Sequence, residues 1–147
     1  MSVFDDTEMA AWSGFLRAHK VVISKLDAEL QHAHDLPLVW YDALVQLHMS
    51  GRPLRMKELA GRLLLSRSAT TRFVDRLESA GLVTRSLADD DRRGMTVELT
   101  EEGYRRLREA SPTHLDGVKA HFVSRLGRDE LETLASAWKT VLTNEGG

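Results

Sequence analysis

The chain has 147 residues and no cysteine, with 42% hydrophobic and 29% charged residues and a formal net charge of -2. That is the size of one compact domain with room for a sizeable core; the missing thiols exclude a disulfide framework, a thiol redox switch, a thiolate zinc site and a cysteine nucleophile. The charge is uneven: from Arg52 to Arg76 seven basic residues face two acidic ones, a surplus of five, which leaves the remainder of the chain seven negative.

A basic centre in an otherwise acidic chain is the footprint of a polyanion partner, although a solvated helical face carries charge in the same way. Apolar runs are too short to span a bilayer, so no membrane partner is expected. The N-terminal stretch "MSVFDDTEMAAW" is acidic and lacks the apolar core of a secretory signal, which points to the cytoplasm.

In chain order, Met9, Trp12, Leu16, His19, Ile23, Leu26 and Leu30 are spaced alternately by three and four. This predicts one long helix over residues 8–34 whose seam packs against another helix, part of it at a subunit interface. Pro37 ends that element. A buried helix follows over 38–49, with Val39, Leu44, Val45 and Leu47 as its apolar side, and "SGRP" punctuates the chain.

Two short helices come next, 56–64 and 67–80, the second with Ser66 as N-cap and Gly81 as left-handed ending, Leu82 folding back onto Leu77. This pair predicts a helix-turn-helix, although other small helical bundles share the pattern. On the second helix Ala69, Phe73, Leu77 and Ala80 share the inner side. Arg67, Ser68, Thr71, Arg72 and Asp75 share the outer side. An ordinary surface helix would more often carry Glu/Lys pairs; this set suits base edges and phosphates in a major groove. Arg55 and Arg76 extend the same candidate contact set.

After Gly81 the residues "LVTRSL" and "MTVEL" alternate around a charged tip, which predicts a two-stranded hairpin. Thr100 is placed to cap the following helix, with Glu101 and Glu102 in its positive first turn. That helix is expected to reach about residue 125, kinked or interrupted at Pro112. A final helix is expected over 128–144, with Leu131, Leu134, Trp138 and Val141 facing inward.

A helix-turn-helix followed by a hairpin is a winged helix, so the fold class is mainly α with a small β-hairpin wing, flanked by N- and C-terminal helices. The stretch "LRMKELAGRLLLSRSATTRFVDRLESAGLVTR", leading into "DDDRRGMTVELTEEG", resembles the MarR family of bacterial transcriptional regulators. The resemblance spans about residues 10–143, and its most specific part is the wing pattern D-x-R then L-T-x-x-G, here Asp91, Arg93, Leu99, Thr100 and Gly103.

It implies a single domain over 1–147, a DNA-binding region over 52–99, and dimerisation helices over 8–34 and 101–145 that interleave in an obligate homodimer. Its partner is double-stranded DNA with a pseudo-palindromic operator, and its usual action is repression. The wing-tip arginine of the family matches Arg93, expected to enter a minor groove, with Asp91 holding the guanidinium and Arg92 reaching a phosphate, or the two arginines exchanging roles.

The resemblance also implies a small aromatic or phenolic ligand that releases the DNA. Candidate lining residues are Trp12, Leu16, Arg17, His19, Trp40, Tyr41 and His48, although His19 also reads as an interface residue and Arg17 as a solvated one. Some relatives sense zinc, and His32, His34, Asp35, His114 and His121 raise that alternative; spacing alone does not show converging ligands, and neither a metal nor a cofactor is assigned.

No phosphate-binding glycine loop, G-x-S-x-G or H-E-x-x-H occurs, so an enzyme is not expected. The other rival is a winged-helix dimer repurposed as a ligand-binding or protein-interaction module. Such a module has no need of Arg67, Arg72, Arg92 and Arg93, all four of which are present.

Overall fold

The computed structural model describes residues 3–87 and 94–143. The element order is α1 Asp6–His34, α2 Leu38–Ser50, β1 Leu54–Arg55, α3 Met56–Leu63, α4 Arg67–Ser79, β2 Val83–Leu87, β3 Met95–Leu99, α5 Glu101–His121 and α6 Arg128–Leu142. The fold is mainly helical with one small antiparallel sheet. Two compact units are formed: Asp27–Thr113, and the described residues on either side of it. No helix among the described residues is long and apolar enough to cross a membrane.

The Asp27–Thr113 unit is built on a core of leucines. Leu30, Leu36, Leu44, Leu54, Leu59 and Leu77 are sealed from solvent. Each such side chain contributes about 1.5–3 kcal/mol through burial, enough to order the short helices that local propensity alone leaves marginal.

Polar ties fix the chain between α1 and α2. Pro37, the N-cap of α2, has no side-chain acceptor to offer, and the Asp27 carboxylate takes the Leu38 N–H at 2.8 Å in its place. At the end of α1 the Arg106 guanidinium donates to the carbonyls of His34 at 2.8 Å and Asp35 at 3.2 Å. Tyr41 is buried, and its hydroxyl lies 3.1 Å from that of Ser111.

Several expectations change. The wing sheet has three strands in the order β1-β3-β2, because Leu54 and Arg55 pair with Val97 and Thr96. A two-residue strand has no period to read. Val39 is exposed rather than buried, and Tyr41 and Ala43 take the inner side of α2. On α4 the inner side holds Thr70 and Val74 besides Phe73 and Leu77, whereas Ala80 is exposed.

Helix α5 passes through Pro112 without interruption and ends at His121, followed by a 3-10 turn at Val123–Arg125. Pro112 is exposed, while Leu107 and Ala110 beside it are buried, so packing outweighs the lost hydrogen bond. In the second unit Trp12, Trp138 and Val141 lie 55%, 37% and 64% exposed on the single chain, so the inward faces expected of α1 and α6 stand largely open. The ring of Phe15 meets those of Trp12 at 6.0 Å and Trp138 at 5.3 Å.

Candidate nucleic-acid interface

The start of α4 is set by its own sequence. Ser66 sits in extended conformation, and its hydroxyl accepts the Ala69 N–H at 3.1 Å, satisfying one of the orphan donors of the first turn. The preceding residues leave α3 through Leu64 in the left-handed conformation, φ 57°, which reverses the chain between the two helices. At the other end Gly81, φ 78°, donates to the Glu78 carbonyl and Leu82 donates to that of Leu77. These are the paired bonds of a Schellman ending.

Between these ends α4 has two chemically distinct sides. Thr70, Phe73, Val74 and Leu77 are buried, and Arg67, Ser68, Thr71, Arg72, Asp75 and Arg76 are exposed. Thr71 donates its hydroxyl to the Arg67 carbonyl at 3.0 Å, and its oxygen keeps its lone pairs as acceptors. Among the described residues no salt bridge engages Arg67, Arg72 or Arg76, so their charge is available to an outside anion.

A groove of about 390 Å³ beside this face is lined by Arg55, Lys57, Arg67, Thr71, Arg85 and Met95. The structure thus joins Arg55, at the N-cap of α3, to the α4 set. Asp91, Arg92 and Arg93 lie outside the described residues. Arg52 belongs to the basic segment but is otherwise engaged: it makes a fork with Glu58, at 3.1 and 2.6 Å. Glu58 also accepts the Arg55 N–H at 3.1 Å, and these hydrogen bonds, Arg52 first, hold its carboxyl down to about 2.

A family model described as the MarR family matches residues 34–94. AbsC of Streptomyces coelicolor, a MarR family transcriptional regulator, is 32% identical, with a TM-score of 0.91 over 100% of this chain and 99% of that one. Sco3205 of the same organism, a MarR family regulator solved in complex with DNA, is 34% identical, with a TM-score of 0.87 over 94% and 90%. The chain belongs to the MarR family.

The HTH-type transcriptional regulator PecS of Dickeya dadantii is a more distant relative, 28% identical over 61% of this chain. This MarR-family chain spans 62% of the length of PecS. The named relatives are transcriptional regulators, whose chemistry is recognition rather than catalysis.

Two features of this MarR-family chain were not singled out from sequence. The first is Arg85 on β2, whose guanidinium reaches Asp75 at 2.7 Å and Glu78 at 2.8 Å. The Glu78 hydrogen bond pushes Arg85 further up from its already high value, so it stays charged at any working pH. It ties the wing strand to α4 and neutralises Asp75, the one acid on the outward face. The signal was there in a cation at an inward-alternating strand position, but its partners are set by tertiary packing.

The second is the physical reason for the L-T-x-x-G pattern. Thr100 accepts the Gly103 N–H at 2.9 Å and donates its hydroxyl to the Gly81 carbonyl, while its own N–H meets the Leu82 carbonyl at 3.1 Å. The start of α5 is therefore stitched to the end of α4, and only a glycine fits at 103: a Cβ there would lie 2.0 Å from the Leu82 carbonyl oxygen.

The ligand candidates on α2 face different surroundings. Trp40 lines a groove of about 560 Å³ with Arg62, Leu64, Phe73 and Arg76. Tyr41 is buried against Ser111, and His48 is exposed with its ring 5.3 Å from that of Tyr104, in a different groove. In the second unit Trp12 and His19 flank Phe15 at 6.0 and 6.4 Å, and Arg17 opens into a groove of its own. His34 lies 2.8 Å from the Thr113 hydroxyl. Among the described residues no three His, Asp or Glu side chains are grouped to hold a metal ion.

Proposed function

We propose that this protein is a cytoplasmic homodimeric repressor that reads a pseudo-palindromic operator in double-stranded DNA and is released by a small aromatic or phenolic acid. One observation carries the DNA reading: Arg67, Arg72 and Arg76 stand exposed on one side of α4, with no salt bridge to them among the described residues, beside the basic groove of Arg55 and Lys57. Uncompensated arginines with Ser68 and Thr71 between them are the donors that phosphates and guanine edges accept. The DNA complex of Sco3205 supports the same reading.

In this proposal residues 52–99 form the DNA-binding region, with Arg92 and Arg93 at the wing tip and Asp91 supporting them. Residues 8–34 and 101–145 dimerise, which the apolar exposure of Trp12, Phe15, Leu16 and Val141 supports. Repression follows when a bound dimer occupies the stretch a polymerase needs. The ligand reading draws on Trp12, Arg17 and His19 in one unit and, separately, on Trp40, Tyr41 and His48 in the other, aromatic and cationic groups of the kinds that hold an aromatic acid.

Fluorescence titration of a labelled operator duplex tests it. Arg72→Ala and Arg93→Ala are each expected to weaken binding by about tenfold or more, in line with about 1–3 kcal/mol for a specific arginine contact. Benzoate added to the complex is expected to lower DNA affinity. Unchanged affinity in both variants would contradict the proposed interface.

A further inference from the structure

The chain has five methionines and no cysteine, so its only sulfurs are thioethers. Two of them meet beside α4. The β1–β3 register pairs Leu54 with Val97 and Arg55 with Thr96; carried one step further, it sets Met56 opposite Met95. Met56 opens α3 and Met95 opens β3. Both line the groove of about 390 Å³ beside α4, together with Thr71. Met95 is 38% exposed and Met56 is half-buried, so solvent reaches both residues. None of the lining residues lies in the segments proposed to dimerise.

Arg55, Lys57, Arg67 and Arg85 line the same groove, and no acidic residue does so among the described residues. Paired thioethers otherwise suit a soft cation such as Cu(I), but four cationic side chains oppose one. The same charge draws in anions, hypochlorite among them. Leucine would fill nearly the same volume at either position without reacting. The sulfurs therefore add a chemistry that packing alone does not call for.

We propose that Met56 and Met95 form an oxidation site for hypohalous acids, and that their conversion to methionine sulfoxide weakens DNA binding. The sulfur lone pair attacks the chlorine of hypochlorous acid and hydroxide leaves; water then displaces chloride from sulfur. An S–O bond forms, the O–Cl bond breaks, sulfur loses two electrons, and chloride and a proton are released. The sulfoxide oxygen is a hydrogen-bond acceptor set among guanidinium and ammonium donors. It occupies donors that a DNA phosphate would otherwise engage. The inference rests on the DNA reading of α4 and adds a means of regulating it.

The test treats the full-length protein with hypochlorite in small excess and quenches it with free methionine. Peptide mass spectrometry reads the sulfoxide at each methionine, and fluorescence titration of a labelled mixed-sequence duplex at low salt reads affinity. Each protein is compared with its own untreated sample, and circular dichroism melts separate loss of contact from loss of fold. The wild type is expected to carry sulfoxide at Met56 and Met95 and to bind about tenfold more weakly, the effect of one lost arginine contact. M56L/M95L is expected to keep its affinity after the same treatment, and M9L/M49L to lose it as the wild type does. Methionine sulfoxide reductases are expected to restore the oxidised wild type. Undiminished affinity with both sulfurs converted, Met56 and Met95 left unoxidised, an equal loss in M56L/M95L, or a loss matched by unfolding would overturn the proposal. An untreated protein that bound no duplex would overturn the DNA reading itself, and this inference with it.

Discussion

At Gly103 a missing methyl group decides the geometry of a junction. The Leu82 carbonyl that a Cβ would strike is backbone, already bonded to the Thr100 N–H, so neither side can yield cheaply. Gly103→Ala is expected to cost about 3 kcal/mol, the upper end of overpacking penalties, read as a lowered urea midpoint with an unchanged slope. Leu64 is the opposite case. It occupies a left-handed conformation at 91% exposure, so its side chain brings little burial in return for the strain. Leu64→Gly relieves about 1–2 kcal/mol of strain and loses about 0.5–1 kcal/mol of backbone entropy. A small net stabilisation is expected in the same urea titration.

Glu58 makes a prediction about acid. Its carboxyl is held down to about 2 from 4.5, so its contribution is complete above pH 4.5 and is lost as pH falls toward 2. Glu58→Gln should therefore lower stability at pH 7 and flatten the stability change between pH 4.5 and 2, followed by circular dichroism.

Among elements, α4 is where local sequence and tertiary structure agree most fully. Its start, outer stripe and glycine ending are local features, and these were legible: a Ser N-cap, a 3.6 period and a left-handed glycine each have a short-range cause. The inner stripe was read only in part, with Phe73 and Leu77 buried as expected, Thr70 and Val74 added and Ala80 exposed. Ser66→Ala is expected to cost about 1 kcal/mol of stability and to weaken DNA binding, since it frays the turn that carries Arg67 and Ser68.

What could not be read from sequence at this scale are the ties between elements. The pairing of Leu54 with Val97, the salt bridges of Arg85 across to Asp75 and Glu78, and the cap that Asp27 places on α2 each join residues of different elements. Arg85→Gln is expected to free Asp75 to repel DNA phosphates. Operator affinity should fall, and D75N in the same background should restore part of it. No restoration would mean that Arg85 acts in another way.

For the whole molecule, the MarR family was legible because its wing pattern and helix order combine sequence with spacing, and the match to AbsC extends over the full chain. The exposed apolar stripe of α1 was also foreseeable as a seam, but the identity of what covers it is not written in one chain. Two copies of α4 on one face of a duplex would place half-sites about 34 Å apart, one helical turn. With several phosphates contacted by each copy, log affinity should fall with log salt at about 0.9 per phosphate neutralised.

The most direct test of operator reading is selection of bound duplexes from a random DNA pool at moderate salt, followed by sequencing. The account predicts an enriched pseudo-palindrome whose half-site centres lie about ten base pairs apart. A pool with no enriched sequence, under conditions where the protein binds bulk DNA, would contradict it.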